Sequence, residues 1–365
     1  MDWFKSERKK WAQPRASAQF EEQMGLSALD DASRDLYETA LPRDISSARL
    51  EADRQRINAW MPPHELAQHS FVPGQIIIGK FAGRLLGHLD DRPQVLVAGA
   101  RSGKTSTVLE PNLYTYPGSM LVMDPKRELL QTAAFRRALG HNAIVLDPFG
   151  DGPSSNFNPL VELDPKSRTI VDDVRGLADA LIVDEGDARS KHWNDGAKTL
   201  LVGIILLTLM EPADERNLVT VRQILTLTYP PLAKAIAFII KDAQAKADEK
   251  FYDENRIGVE SLLKVMSRKG GAFGGILAAI GNRFLGTPHP ERGSIFSTAS
   301  TQTDFLDSLP LRDISRTSDF RLSDLRSDRP TTIYLCLPVG RMESHYRWLR
   351  LVIQMACTVL EQMGT

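Results

Sequence analysis

The octapeptide AGARSGKT at residues 98–105 is the feature that most constrains the fold. It fits the Walker A pattern in the form that allows alanine at the first position. It stands between the apolar run QVLVA and a segment, 104–112, that has the character of a helix. A loop of this kind points backbone N–H groups at an anion where the helix begins. The motif therefore predicts a buried strand before the loop and a helix after it.

The residues of this loop have distinct predicted roles. Gly103 permits the backbone turn, Lys104 places a cation at the β and γ phosphates, and Thr105 gives its hydroxyl to Mg²⁺. We therefore predict ATP and Mg²⁺ as ligands. The predicted nucleotide-binding residues are Ala98, Gly99, Ala100, Arg101, Ser102, Gly103, Lys104, Thr105 and Ser106. A glycine-rich turn that only caps a helix would explain Gly99 and Gly103, but not the adjacent lysine and threonine.

Short apolar runs recur along the chain and are separated by segments of helical character. QVLVA, SMLVMD and NAIVLD are β-branched and bounded by glycine, proline or aspartate. Because parallel strands are buried on both faces, they are expected as continuous apolar runs of this kind. We predict that 95–98, 120–123 and 144–146 belong to one parallel sheet. TTIYLCLP at 331–338 is a further strand, and an amphipathic helix at 344–363 follows it.

Helical periodicity dominates the long segment between these two groups of strands. Helices are predicted at 169–183, 194–210, 232–246 and 260–267. The apolar run LLVGIILLTLM is about half the roughly 20 residues that a membrane-spanning helix needs, so we predict a core helix there. The predicted fold class is α/β, with a mostly parallel sheet interrupted by an all-α domain. The predicted parts are a partly helical N-terminal arm at 1–70, the first part of a nucleotide-binding domain at 71–163, the all-α domain at 164–285, and an incomplete return to the nucleotide-binding domain at 286–365.

A P-loop enzyme also needs an acidic side chain, the Walker B aspartate, at the end of a neighbouring apolar strand. Asp124, Asp147 and the pair Asp184-Glu185 each follow an apolar run. The pair Asp184-Glu185 has the usual Walker B form, an apolar run followed by Asp-Glu. The apolar residues ahead of it nevertheless recur at helical spacing. Asp184 is therefore predicted to follow a helix, and the other two aspartates stay as candidates.

Several collinear segments make the chain resemble the coupling ATPases of type IV secretion and conjugation, the TraG family of P-loop motors. Within 75–365 the matching segments are LVAGARSGKTSTVLEPNL, YPGSMLVMDPKREL, RRALGHNAIVLDPF, NFNPL, HWNDGAKTLLVGIILLTL, SDFRLSDLR, and TTIYLCLP followed by RWLRLVIQ. The resemblance implies a RecA-like nucleotide-binding domain interrupted by an all-α domain. It also implies a membrane-anchored hexamer that uses ATP to deliver relaxase-bound single-stranded DNA, or effector proteins, to a secretion channel at the inner membrane.

By position, the resemblance makes 124–128 a second motif at the sheet edge that faces the nucleotide. It implies catalytic roles for Lys104 and Thr105, with Asp124 and Glu128 as helpers in positioning Mg²⁺ or water. An equally good interpretation is that Asp124 ends a strand and Glu128 begins a helix.

The strand ending in Asp-Glu-Phe that the family carries after the last predicted helix is not found in this sequence. We therefore expect a truncated or split member, or an excerpt of a longer chain, that binds nucleotide but hydrolyses it poorly. Two hypotheses follow: a DNA-transfer ATPase subunit, and a nucleotide-binding scaffold with little or no turnover.

The charge and the apolar runs limit how the chain meets DNA and membranes. The formal net charge is −1, so any binding to nucleic acid needs a local basic surface. We expect two groups of basic residues to be solvated rather than bound to phosphates. The first is Lys264, Arg268 and Lys269, and the second is Arg347 and Arg350. No run is long enough to cross a membrane, so we predict a cytoplasmic chain held at the inner face of the membrane through partners. Cys336 and Cys357 are predicted to be buried thiols.

Overall fold

The computed structural model of the protein describes residues 69–89, 92–184, 186, 188–234, 237 and 254–363. The chain divides into two compact units between Pro117 and Gly118. All but the last two residues of the predicted arm at 1–70 lie outside the described residues, as does most of the helix predicted at 232–246.

The first unit contains a β-hairpin and the helix that follows the glycine-rich loop. Strands β1 (Ile76–Phe81) and β2 (Arg84–His88) pair antiparallel, and a helix, α1 (Glu110–Thr115), follows further along the chain. Asn112 of α1 ties the helix to the hairpin, because its side chain accepts the N–H of Ile77 at 2.7 Å and donates to the same residue's carbonyl at 2.8 Å. The buried amide of Asn112 thus satisfies backbone groups of β1.

The run QVLVA does not form a strand, which corrects the prediction for 95–98. Within the described part of the chain no β-pairing involves this run, and Val95 and Val97 are 85% and 87% exposed. A strand is stable only where a neighbour takes up its backbone N–H and C=O groups. No described segment of the chain supplies such a neighbour, so the apolar composition of 95–98 was not sufficient to predict a strand.

The second unit is built on a parallel sheet in the order β3–β5–β4, in which β3 is Met120–Met123, β4 is Asn142–Leu146 and β5 is Thr331–Leu335. Leu121 and Ile144 both lie opposite Ile333. Every residue of β5 is buried, as expected for a central parallel strand covered on both faces. The predicted parallel pairing of 120–123, 144–146 and the strand at 331 is confirmed.

Between β4 and β5 the described residues form helices and short 3₁₀ turns. The helices are α3 (Ile170–Leu181), α4 (Ala188–Thr208), α5 (Leu218–Leu225), α6 (Glu254–Ser267), α7 (Ile276–Gly286), α8 (His289–Gln302) and α9 (Leu309–Ile314), while α2 (Thr132–Ala138) connects β3 to β4 and α10 (Met342–Gln362) follows β5. The run LLVGIILLTLM lies in the core of this region, and Asp184 follows a helix, both as predicted. None of the described helices is long and apolar enough to cross a membrane.

The segment NFNPL at 156–160 attaches the helical region to the sheet. The ring of Phe157 stacks on that of Phe320 with 5.2 Å between centroids. Asn158 donates from its side-chain amide to the carbonyl of Arg216 at 2.7 Å. The segment therefore holds together parts of the chain that are far apart in sequence.

Two expectations about α10 and its neighbours are wrong. Arg350 is half-buried and donates to the carbonyls of Ala180 and Ile182 at the end of α3, both at 3.3 Å, and Arg347 donates to the side chain of Gln302 at 3.0 Å. The guanidinium groups of Arg347 and Arg350 therefore donate to oxygen atoms of the protein and do not form a solvated face. Cys336 is buried as predicted, but Cys357 lies on the exposed face of α10.

Alanine substitutions at Gly281 and Gly293 are expected to have opposite effects on the free energy of unfolding. A Cβ at Gly281 of α7 would lie 2.6 Å from the backbone nitrogen of Ser267 and 2.8 Å from the carbonyl oxygen of Leu263. We expect Gly281→Ala to lower the free energy of unfolding by about 1–3 kcal/mol, because the two helix backbones must separate. Gly293→Ala, at an exposed site of α8 with no atom within 4 Å, should raise it by about 0.5–1 kcal/mol. Urea denaturation of both variants measures the difference, and an equal shift in both would contradict the close approach.

Candidate functional site

The loop at 98–105 is closed on itself by its lysine. The ammonium of Lys104 donates to the carbonyl oxygens of Ala98 at 2.6 Å and Gly99 at 2.7 Å. Two residues take positive φ, Arg101 at 60° and Gly103 at 86°. The positive φ of Gly103 is the conformation for which the motif needs glycine. The side chain of Lys104, near the end of the loop, thus bonds to the two residues at its start.

The helix after the loop begins with a π-helical turn, Thr105–Leu109, before α1. The carbonyl of Gly103 accepts both the N–H and the hydroxyl of Thr107 at 2.8 Å, and the hydroxyl of Ser106 at 3.2 Å. Among the described residues the hydroxyl of Thr105 has no hydrogen-bond partner. Single π-turns are frequent at functional sites. The predicted helix at 104–112 is therefore present, with a wider first turn than an α-helix.

The carboxyl edge of the parallel sheet brings two of the three predicted aspartates together. Asp124 follows β3, Asp147 follows β4, and Cys336 follows the central strand between them. The ladder continues past the strands, because the N–H of Asp124 donates to Leu335 at 2.9 Å and the N–H of Cys336 donates to Leu146 at 2.8 Å. Ligands of open parallel sheets bind at this edge.

The carboxylate of Asp124 is held by backbone. It is 3% exposed and accepts the N–H groups of Glu128 at 3.1 Å, Leu129 at 2.8 Å and Leu130 at 2.8 Å. This is the geometry of a side chain that organises a turn, since it satisfies three donors that would otherwise lack partners. A further role for Asp124 in positioning Mg²⁺ or water stays a prediction.

The carboxylate of Asp147 is held by a side chain. Arg127 donates to it in a bidentate manner, from Nε at 2.6 Å and Nη2 at 2.8 Å, and these bonds raise the pKa of the guanidinium. A Cβ at Gly150 would lie 2.2 Å from Oδ2 of Asp147, so the carboxylate occupies the space that a side chain there would need. The sequence placed Arg127 at this edge, within the second motif at 124–128, but did not predict its pairing with Asp147. It missed Gly150, for which the only signal was its position in DPFG, directly after a predicted strand.

The thiol between the two carboxylates has a raised pKa. Burial, and then the negative charges of Asp147 and Asp124, raise the pKa of Cys336 to about 12. Cys336 therefore remains a protonated thiol at neutral pH and has no thiolate character.

Two further candidate residues, Glu128 and Asp184, are exposed. Glu128 is exposed, and its side chain makes no hydrogen bond or ion pair with any described residue. Asp184 is exposed after α3. The loop residues 98–106 belong to the first unit, whereas 124–128 belong to the second.

Comparisons with known proteins agree on one family. Residues 51–364 match the model described as Type IV secretory system Conjugative DNA transfer. The chain is 28% identical over 257 residues to the conjugal transfer protein TraG of Escherichia coli, which covers 68% of this chain and 36% of that protein. It is 25% identical over 291 residues to the protein VirD4 of Agrobacterium fabrum, which covers 78% of this chain and 38% of that protein. The chain therefore spans less than half the length of these relatives.

A solved structure shares the fold. The bacterial conjugative coupling protein TrwBdeltaN70, in its unbound monoclinic form, superposes with a TM-score of 0.53 at 14% sequence identity, over 82% of this chain and 58% of that chain. Together with the parallel sheet, this confirms the predicted α/β fold of the RecA-like type.

The three N–H bonds to Asp124 predict a large effect on stability at that residue. We expect Asp124→Ala to lower the free energy of unfolding by about 3 kcal/mol, because it leaves three backbone N–H groups without their acceptor, that of buried Leu129 among them. Glu128→Gln, in the same turn but exposed, should change it by about 0.5 kcal/mol at most. Chemical denaturation compares the two variants. Equal stability would mean that Asp124 does not organise the turn.

Proposed function

Because the chain belongs to the family of type IV secretory system proteins for conjugative DNA transfer, we propose that it is an ATP-binding coupling protein of such a system. The observation that supports the nucleotide part is the loop at 98–105, in which Gly103 has a positive φ and the ammonium of Lys104 donates to the carbonyls of Ala98 and Gly99. The predicted partners are further copies of the chain in a hexamer, relaxase-bound single-stranded DNA or effector proteins, and channel components at the inner membrane.

In this proposal the loop exchanges its internal bonds for bonds to phosphate. The ammonium of Lys104 leaves the carbonyls of Ala98 and Gly99 and donates to β and γ phosphate oxygens, where a charge-assisted bond is stronger. Backbone N–H groups around Gly103 donate to the same anion. The hydroxyl of Thr105 is a hard oxygen ligand of the kind that Mg²⁺ prefers, and it has no competing partner among the described residues. Mg²⁺ bound there would neutralise charge on the phosphates.

A second function, a nucleotide-binding scaffold with little turnover, is favoured by the carboxyl edge itself. Asp124 is committed to three N–H groups, and Asp147 to Arg127. Either carboxylate would have to lose strong hydrogen bonds before it could hold a hydrated metal ion. Slow turnover is therefore the expected behaviour of this chain. In the second motif, the carboxylate of Glu128 makes no hydrogen bond with any described residue.

Nucleotide binding tests the first step of the proposal. Titration with a fluorescent ATP analogue and Mg²⁺ should show saturable binding that Lys104→Ala weakens on the order of tenfold or more, because the phosphates lose a charge-assisted donor. Lys269→Ala, which removes an exposed lysine of the helical region, is the matched control and should bind as the parent chain does. Equal affinity of the Lys104→Ala variant and the parent would contradict the proposed site.

A measurement of ATP hydrolysis distinguishes the motor function from the scaffold function. We expect slow ATP hydrolysis that depends on Lys104 and increases with single-stranded DNA, measured as phosphate release at saturating nucleotide. A rate equal to that of Lys104→Ala, with and without DNA, would exclude the motor for this chain and leave the scaffold.

A further inference from the structure

The turn between α6 and α7 carries positive charge without acids of its own. Residues 261–290 contain two lysines, two arginines and no aspartate or glutamate, in a chain whose formal net charge is −1. Lys264, Arg268 and Lys269 are exposed, and none of them forms an ion pair or a side-chain hydrogen bond with a described residue. The surface at this turn is therefore basic on a protein that is nearly neutral as a whole.

The three cations lie together at the end of α6. Lys264 and Arg268 are one helical turn apart, and the N–H of Arg268 donates to the carbonyl of Lys264 at 3.1 Å. Residues at this spacing lie on one face of a helix. Lys269 follows directly, and its N–H donates to the carbonyl of Met266 at 3.0 Å. Three positive charges are thus concentrated within six residues of the chain.

The polar groups next to these cations are hydrogen-bond donors. Asn282 of α7 accepts the hydroxyl of Ser267 at 2.5 Å through Oδ1, and its exposed amide nitrogen has no partner among the described residues. No described residue accepts the N–H groups of Gly270 and Gly271. A Cβ at Gly270, Gly271 or Gly274 would have no atom within 4 Å, so the space beside this backbone is open. Cations and backbone N–H groups together are the donors that proteins present to phosphate oxygens.

The apolar side chains of the turn pack against the protein. Ala272, Phe273 and Ile276 are partly buried against the core of the helical region. The described residues of the turn therefore present neither an aromatic ring on which a base could stack nor an apolar anchor for a lipid bilayer. The chemistry of this surface is that of a contact to phosphates alone.

We infer that the turn between α6 and α7 binds the phosphodiester backbone of nucleic acid through Lys264, Arg268 and Lys269. The inference rests on the proposed function, in which single-stranded DNA is a partner, and it names the surface of the second unit that holds the strand. Because the contacts are made to phosphates, the affinity depends on charge and not on base sequence. The sequence predicted a solvated group, and in the free chain the three cations are exposed to solvent.

Fluorescence anisotropy with a labelled single-stranded oligonucleotide tests the inference. The variant with Lys264→Gln, Arg268→Gln and Lys269→Gln should bind on the order of tenfold or more weakly than the parent chain. The slope of log affinity against log salt concentration should become shallower by about 2, because each phosphate neutralised on a single strand contributes about 0.7. Oligonucleotides of different sequence should lose affinity to the same extent.

Three exposed cations outside the turn provide a matched control. Lys166, Arg168 and Arg316 lie in the second unit, and their replacement by glutamine changes the net charge by the same amount. This control variant should keep its affinity for the oligonucleotide within about twofold, since salt screens charges that make no contact. Both variants should bind the fluorescent ATP analogue as the parent does and should keep its denaturation midpoint, because all six positions are exposed.

Equal losses of DNA affinity in the two variants would overturn the inference, because net charge would then account for the binding. Unchanged DNA affinity in the variant at the turn would also overturn it. If that variant lost binding only to vesicles containing anionic lipid, the surface would be a membrane contact instead.

A parent chain that does not bind the oligonucleotide would likewise overturn the inference. It would leave the proposed nucleotide site standing as long as ATP binding depends on Lys104. ATP binding that does not depend on Lys104 would reject that site, whereas the comparison of the two DNA-binding variants would still decide the role of the turn.

Discussion

The parallel pairing of β5 with both β3 and β4 is the constraint on which the rest of the second unit depends. β5 comes back to the sheet after the whole helical region and is buried at every position. Hydrogen bonds from Asp124 and Cys336 extend the ladder past the ends of the strands. Because the three strands run in one direction, the residues that follow them must meet at one edge. The polar cluster at that edge is thus a consequence of strand order.

The charges at this edge are balanced locally. A buried carboxylate without partners is unfavourable by several kcal/mol, and removing one partner of a buried pair leaves an uncompensated charge. The carboxylate of Asp124 is satisfied by backbone donors and that of Asp147 by a guanidinium. The turn at 124–130 is therefore anchored twice, by Asp124 through backbone N–H groups and by Asp147 through Arg127.

Side chains hold together parts of the second unit that are far apart in sequence. Phe157 stacks on Phe320, and Asn158 donates to the carbonyl of Arg216. Arg350 of α10 donates to the carbonyls that end α3. The helical region is thus fastened to the segments that enter and leave the sheet.

The sequence by itself determined the features that depend on neighbours along the chain. These were the glycine-rich loop with Lys104, three strands of the parallel sheet, the long core helix α4, and the position of Asp184 after a helix. Only the tertiary structure decided the features that depend on distant residues. QVLVA has the composition of a strand but pairs with no strand of the described residues, Arg127 meets Asp147 twenty positions away, and Arg350 meets carbonyls at 180 and 182. Periodicity and motif spacing record local geometry, whereas hydrogen bonds and burial are determined by which remote segments the fold brings into contact.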